Sequence, residues 1–340
     1  DPRNQQRIFP YLGGEELNTS PTHAPHRYVI NFGELTEEQA RAWPDLLRIV
    51  EEKVRSERNR QNDRGAKEKW WQFIRPRPEL YSAIAGLDRV LALSLHSQYL
   101  TLAFLPARYV FSHALAVIAM DTYSAFGVMQ SRIHEIWARF FGSSLEDRLR
   151  YTPSDCFETF PFPLGWEADA RLESVGQAYY DFRAQLMIRS GEGLTKTYNR
   201  FHSRSDQAPD IQRLRALHAE LDRAVLLAYG WEDLATPCDF YPDHEPDEAS
   251  AGDKKPSYRY RFPDAVREEL LARLLDLNQA RARDERLGAV PATAPAAKKP
   301  AAKKPAAAKK PAAAKKPGPA PAPTLPLFQR VQPGDPDSST

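Results

Sequence analysis

The chain is 340 residues long and 42% apolar, enough for a sizeable core in one or two domains, and no stretch reaches the roughly 18 consecutive apolar residues that span a bilayer. A formal charge of +2 excludes attraction to a polyanion by net charge alone, yet the balance is uneven: residues 1–165 hold 20 Lys/Arg against 20 Asp/Glu, residues 166–297 hold 18 against 23, and residues 298–340 hold 9 against 2. Lys53 to Arg77 concentrates nine basic residues against three acidic ones, so two local basic surfaces suit a polyanionic partner better than the global charge does.

In chain order, Asp1 to Asn4 shows neither an initiator Met nor an apolar signal region, which predicts a piece cut from a longer protein. Arg27 to Phe32 reads as a short strand ended by Gly33. Thr36, Glu37, Glu38 and Gln39 form a capping box, and a helix follows with Ala40, Trp43, Leu47, Val50 and Val54 inward. Pro44 lacks an amide hydrogen and kinks this helix or starts its second part. From Leu87 to Ala119 short apolar runs predict a meander of three or four strands, with Gly86 as the break before it and His96-Ser97 and Pro106-Ala107 as turns. Thr122 to Phe141 predicts one helix, with Phe126, Met129, Ile133, Ile136, Trp137 and Phe140 on one side and Gly142 as its stop.

Tyr151 to Pro163 is too irregular for a helix and too proline-rich for a central strand. Three helices are expected beyond it: Ala168 to Ile188, one capped by Asp210 and ending at Gly230, and one capped by Asp264. Asp243 to Lys255 reads as a polar loop. From Val290 the chain is Ala/Lys/Pro repeats, with Lys-Lys-Pro starting at 298, 303, 309 and 315, a composition that builds no core. The fold class is therefore α+β: a mixed domain over 1–165 with a short-strand meander and packed helices, a helical region over 166–289, and a disordered basic tail over 290–340.

Catalytic signatures are missing. No Gly-x-Gly-x-x-Gly or Walker sequence occurs, and Gly13-Gly14 alone is a flexible turn. Asp45 with Glu51, Glu52 and Lys53 superficially resembles a nuclease carboxylate–lysine pattern, but at about 100° per residue Asp45 and Glu51 lie about 120° apart on a helix. His23, His26, His96 and His113 do not converge as four zinc ligands do. Cys156 and Cys238 lack metal-ligand spacing and read as reduced thiols of a cytoplasmic protein. No catalytic residue and no metal ligand is expected.

The basic segment is the stronger signal. Arg55, Arg58, Arg60, Arg64, Lys67, Lys69, Arg75 and Arg77 interleave planar donors and point charges with Trp70 and Trp71, read as packing residues with base stacking as the alternative. The bland alternative is a solvated helix face with salt bridges to Glu57, Asp63 and Glu68. The Lys-Lys-Pro tail is either a soluble spacer or a nonspecific nucleic-acid anchor acting by counterion release.

Several strings in one order carry a resemblance: Ile8-Phe9-Pro10-Tyr11-Leu12-Gly13-Gly14, His26-Arg27-Tyr28-Val29-Ile30-Asn31-Phe32-Gly33, Trp70-Trp71-Gln72-Phe73, Arg132-Ile133-His134-Glu135-Ile136-Trp137-Ala138, Ser154 to Pro163, Leu194 to His202, and Leu221 to Val225. Over residues 8–290 they resemble the target-recognition domain and helical tail of MmeI-like adenine-specific DNA methyltransferases and their phage-defence relatives.

The resemblance implies DNA target recognition within a site-specific adenine-N6 methyltransferase of a restriction–modification or related anti-phage system. In that family an upstream Rossmann-like domain binds S-adenosyl methionine. The cofactor loop and the Asn/Asp-Pro-Pro-Tyr/Phe motif are absent here, so this chain is expected to bind no cofactor itself, with the catalytic domain missing. Its expected partners are double-stranded DNA and the upstream methyltransferase domain, with no membrane. Arg75, Arg77, His96, Gln98 and Arg108 are the expected base readers, and Lys53, Arg60, Arg64, Lys67 and Lys69 the expected phosphate contacts. Two rivals stand beside this reading: a free-standing specificity or adaptor subunit acting in trans, and a complete magnesium-dependent nuclease.

Overall fold

The computed structural model describes residues 1–145, 148–242 and 258–287. The polar loop expected over 243–255 and the Lys/Ala/Pro tail lie outside the described residues.

The meander forms around Arg89–Ser94, whose Val90, Leu91, Ala92 and Leu93 are all buried, as in a strand covered on both faces. Ala103–Pro106 and Leu115–Ile118 flank it, both antiparallel, with Leu91 opposite Phe104 on one side and Ile118 on the other. The short strand Val110–Phe111 leaves this sheet and pairs in parallel with Ile8–Leu12, which also pairs antiparallel with Arg27–Ile30.

His96-Ser97 is not the expected turn. It pairs antiparallel with Leu149 and Arg150 of the strand Arg148–Arg150, which in turn pairs with Ser143–Leu145. The Tyr151 amide continues this contact to the Leu95 carbonyl at 2.8 Å.

The helix expected over 122–141 is two helices, Tyr123–Gln130 and Arg132–Phe141. Ser131 between them is extended (φ −64°, ψ 155°), and its hydroxyl accepts from the His134 amide as the cap of the second helix. The Thr36–Gln39 capping box is present. Pro44 takes the first position of a new helix, Pro44–Val50, where its missing amide costs nothing. A wider π-type turn, Glu51–Arg55, and Ser56–Arg60 complete that arm. A small core of Phe32, Ala40, Leu46, Leu47 and Trp70 holds it.

The main core runs through residues on both sides of 165. Ala170–Ser190 and Pro209–Tyr229 end at Gly191 (φ 65°) and Gly230 (φ 73°), left-handed positions that suit glycine. Two other glycines let backbones touch. A methyl on Gly176 would sit 2.2 Å from the Tyr123 carbonyl oxygen, and one on Gly193 would sit 2.3 Å from the Thr19 carbonyl carbon. Polar links cross the same boundary: the Arg132 backbone and guanidinium both donate to Asp222, at 2.8 and 2.5 Å. Fully buried Arg183 donates to the Leu102 carbonyl (2.6 Å), the Gln130 side chain (3.1 Å) and the Tyr198 hydroxyl (3.2 Å).

The irregular string after Tyr151 is held on three sides. Trp137 Nε1 donates to Thr159 Oγ1 at 3.2 Å, Asn278 to the Thr159 carbonyl at 2.7 Å, and the Tyr229 hydroxyl to the Pro161 carbonyl at 2.9 Å. Through it Arg132–Phe141, Pro209–Tyr229 and Asp264–Arg286 join one compact unit.

Candidate nucleic-acid interface

The basic segment is built on short helices. Asp63 caps Arg64–Glu68 by accepting from the Ala66 amide at 3.0 Å, and this turns Ala66 inward and Arg64, Lys67 and Glu68 outward. Trp70 is buried in the small core, with the Arg55 guanidinium 5.0 Å from its ring centre. Trp71 Nε1 and Gln72 Nε2 both donate to the Leu35 carbonyl, at 2.8 and 2.7 Å. The two tryptophans are thus packing and anchoring residues, and no base stacks on them without unmaking the arm.

The charges divide into two kinds. Arg48 pairs with Glu52, Arg55 with Glu51 and Arg64 with Glu68, each one turn away. Lys53, Arg60, Lys67, Lys69, Arg75 and Arg77 are exposed, and no ion pair engages them among the described residues. Glu68 is the only one of the three expected salt-bridge acids that pairs with a cation of the segment among the described residues. The surface therefore keeps most of its positive charge available.

Arg75 and Arg77 lie on the loop that leads to the helix Pro78–Ile84. Arg77 is left-handed (φ 54°), rare for a residue with a side chain. Arg108 is exposed in the turn after Ala103–Pro106, where the Ala107 amide donates to the Asp88 carbonyl at 3.0 Å. His96 is exposed opposite Arg150, just past the other end of Arg89–Ser94. Because Arg89 pairs with Pro106, that strand separates Arg108 from His96 by on the order of 20 Å, at about 3.3 Å per residue. The expected readers thus form separate groups along the surface, and His96 and Arg108 do not share one base pair.

Gln98 anchors the His96 segment through its backbone. Its carbonyl accepts from Arg139 at 3.0 Å and from Arg259 at 3.2 Å. Glu135 lies 2.8 Å from Arg139 and 3.5 Å from Arg259. Burial raises the Glu135 carboxyl, but these two guanidiniums outweigh it and hold the group well below the ordinary carboxylate range. A residue beyond the helical region's polar loop therefore braces a strand of the first half.

The histidines that sequence reasoning passed over are structural. Burial pushes His134 down to about 4, and its Nδ1 lies 2.7 Å from the Met129 carbonyl. His202 stacks on Tyr99 at 4.6 Å, and its Nδ1 accepts from the Tyr260 amide at 3.1 Å. His218 reaches the Gln130 carbonyl at 3.1 Å. Only their places among apolar helical positions hint at this burial, a signal equally compatible with exposed residues.

The nuclease-like acids are engaged elsewhere: Asp45 accepts from Asn4 at 3.4 Å, and Glu51 and Glu52 each turn to an arginine. Among the described residues no group of three or more His, Cys, Asp or Glu is placed to hold a metal ion. Cys156 is buried, Cys238 half-buried, and both are free thiols. No described helix is long and apolar enough to cross a membrane.

The strand Ile8–Leu12, Gly13-Gly14 and the helix Gly14–Thr19 outline a nucleotide-type turn, but its centre is filled. Glu16 Oε2 accepts from the Gly13 amide at 3.0 Å, and Arg27 closes on the same carboxylate. The turn satisfies itself and does not fit S-adenosyl methionine.

Residues 1–164 match the family model described as the MmeI target recognition domain. A solved structure of the Type IIL restriction-modification enzyme MmeI in complex with DNA matches with a TM-score of 0.53 at 20% identity, covering 83% of this chain and 32% of that one. The chain thus spans about a third of that enzyme's length and shares its fold over the matched part. No curated protein matches.

Proposed function

With residues 1–164 an MmeI-like target recognition domain, we propose that this chain selects the DNA sequence on which a restriction–modification enzyme acts. The observation that carries the reading is the set of exposed cations Lys53, Arg60, Lys67, Lys69, Arg75 and Arg77, which no ion pair engages among the described residues. Such cations release counterions from duplex DNA and fix the register of the protein on it. The candidate base readers are Arg75 and Arg77 on the loop that ends this segment, Arg108 at one end of the central strand, and His96 and Gln98 beyond the other.

The chemistry selected for is adenine-N6 methylation, in a system that protects the host from phage. In this reading S-adenosyl methionine supplies the methyl group and is held outside this chain; the Gly13-Gly14 turn, whose Gly13 amide donates to Glu16, takes no part in holding it. The chain's own contribution is to bind, orient and choose the duplex.

Rounds of selection of the full chain against a random-sequence duplex pool test the first part. Enrichment of one defined site is expected, and a pool that stays random after binding excludes sequence choice by this chain. Co-expression with the reading frame immediately upstream, followed by mapping of N6-methyladenine in plasmid DNA, tests the second part. Methylation confined to the selected site is expected, and cytosine modification or none removes the adenine assignment.

A further inference from the structure

We propose that the loop Phe73–Arg77 is a wedge that enters a groove of duplex DNA and unstacks a base step with Phe73 and Ile74, a role that rests on the DNA reading above. Phe73 is 37% and Ile74 49% exposed, two large apolar side chains in a row facing solvent. Phe140 and Phe141 are also consecutive and exposed, but the cation beside them, Arg139, is committed to Glu135. Lys69, Arg75 and Arg77 around the Phe73 pair have no ion-pair partner among the described residues. Apolar side chains bracketed by free cations suit a ligand with a charged rim and an apolar interior, which describes the phosphates and stacked bases of a duplex. An apolar protein surface matches the pair but leaves the cations unmet.

The loop is also stiff, as a wedge must be to transmit force. Trp71 and Gln72 pin its start to the Leu35 carbonyl, and Arg58 adds a bond to the Gln72 carbonyl at 3.2 Å. Pro76 locks one of its φ angles, and Pro78 fixes that of the helix residue that follows it. Arg77 is left-handed although it carries a side chain and precedes a proline, a position that disfavours it twice. Strain of this kind persists where the surrounding structure imposes it, and it gathers at binding sites. Here it sets the entry of the chain into the helix Pro78–Ile84, with Phe73 and Ile74 exposed on the stretch before it.

Unstacking unwinds the duplex, so relaxation of a closed circular plasmid by topoisomerase I in the presence of the full chain reads it directly. Anisotropy on a labelled random-sequence duplex at low salt measures binding separately, with the basic tail present in every variant. The wild-type chain is expected to bind and to leave the plasmid negatively supercoiled once the protein is removed. The Phe73→Ala/Ile74→Ala variant is expected to bind nearly as well and lose the supercoiling. Ile74→Lys, with an added cation, is expected to bind more tightly and still lose it. Binding without supercoiling by the wild type, or supercoiling retained by the double variant, overturns the wedge and leaves the DNA reading standing. No binding to either DNA overturns both.

Discussion

A lysine and an arginine offer a phosphate the same charge, but only the guanidinium offers two parallel donors to a base edge. Arg75 and Lys67 are both exposed and without an ion pair among the described residues, so the contrast is testable at these positions. Arg75→Ala is expected to cost about 1–3 kcal/mol on the selected site and to relax one base position, measured by binding to a panel of single-base variants. Lys67→Ala is expected to weaken every sequence alike and lower the slope of log K against log salt by about 1. Equal losses on cognate and random duplex for both variants remove Arg75 from the readers. Arg64 differs because Glu68 holds it at 2.6 Å. Glu68→Gln frees that charge, so binding to all sequences should tighten and the salt slope should steepen by about 1. An unchanged slope means that Arg64 faces away from the phosphates.

At the scale of elements, local chemistry was legible where it acts on its own neighbours. Thr36 and Gln39 cap a helix, and Gly230 ends one, because each needs only residues three or four away. Ser131 carried the same kind of cap signal, but the continuous apolar stripe from Phe126 to Phe140 concealed it. His96-Ser97 read as a turn because its partners, Leu149 and Arg150, lie some fifty residues on in the chain, and no local pattern announces them. The basic segment was legible as charge and Glu68 as one of three candidate salt-bridge acids, whereas which of Glu57, Asp63 and Glu68 pairs, and with which cation, depended on rotamers. The close backbone approaches were not legible at all. Gly176 lies inside the helix Ala170–Ser190, where alanine gains about 1 kcal/mol in helix propensity. The same methyl would sit 2.2 Å from a backbone oxygen that no side-chain movement relieves. Overpacking costs about 1–3 kcal/mol or more, so Gly176→Ala should lower the melting temperature. Gly193→Ala should do the same against Thr19. An unchanged or raised melting temperature for either shows that the helices separate without cost.

For the whole molecule, the distribution of buried polar groups sets both a pH window and a minimum folding unit. Burial pushes His23 and His134 to about 4, and His202 and His218 well below their usual value. The unfolded chain protonates these rings near 6.5, so as pH falls below that value protons bind the unfolded state first. Stability present at neutral pH is thus lost as pH falls from about 6.5 toward 4, by up to about 1.4 kcal/mol per unit for each ring. Melting temperatures recorded from pH 7.5 to 4.5 should fall steeply below 6.5, and a flat profile contradicts neutral buried histidines. The folding unit follows from the same network. The family match ends at 164, but the core does not. A chain ending at 165 keeps Arg132 and loses Asp222, and a buried charge without its partner costs several kcal/mol, about 3–5 where such pairs have been broken. It also strips Gln130 of Arg183, the Ser124 amide of the Glu173 carboxylate that accepts from it at 2.7 Å, and the Gln98 carbonyl of Arg259. Each of these losses is a sizeable fraction of the roughly 5–15 kcal/mol that holds a domain together. Residues 1–165 alone should therefore lack the near-ultraviolet dichroism of fixed aromatic packing and show little amide protection in Arg89–Ser94, whereas a chain ending at 287 retains both. A cooperatively melting 1–165 fragment with protected central-strand amides would show instead that the recognition half folds alone and that the helices beyond it are an addition.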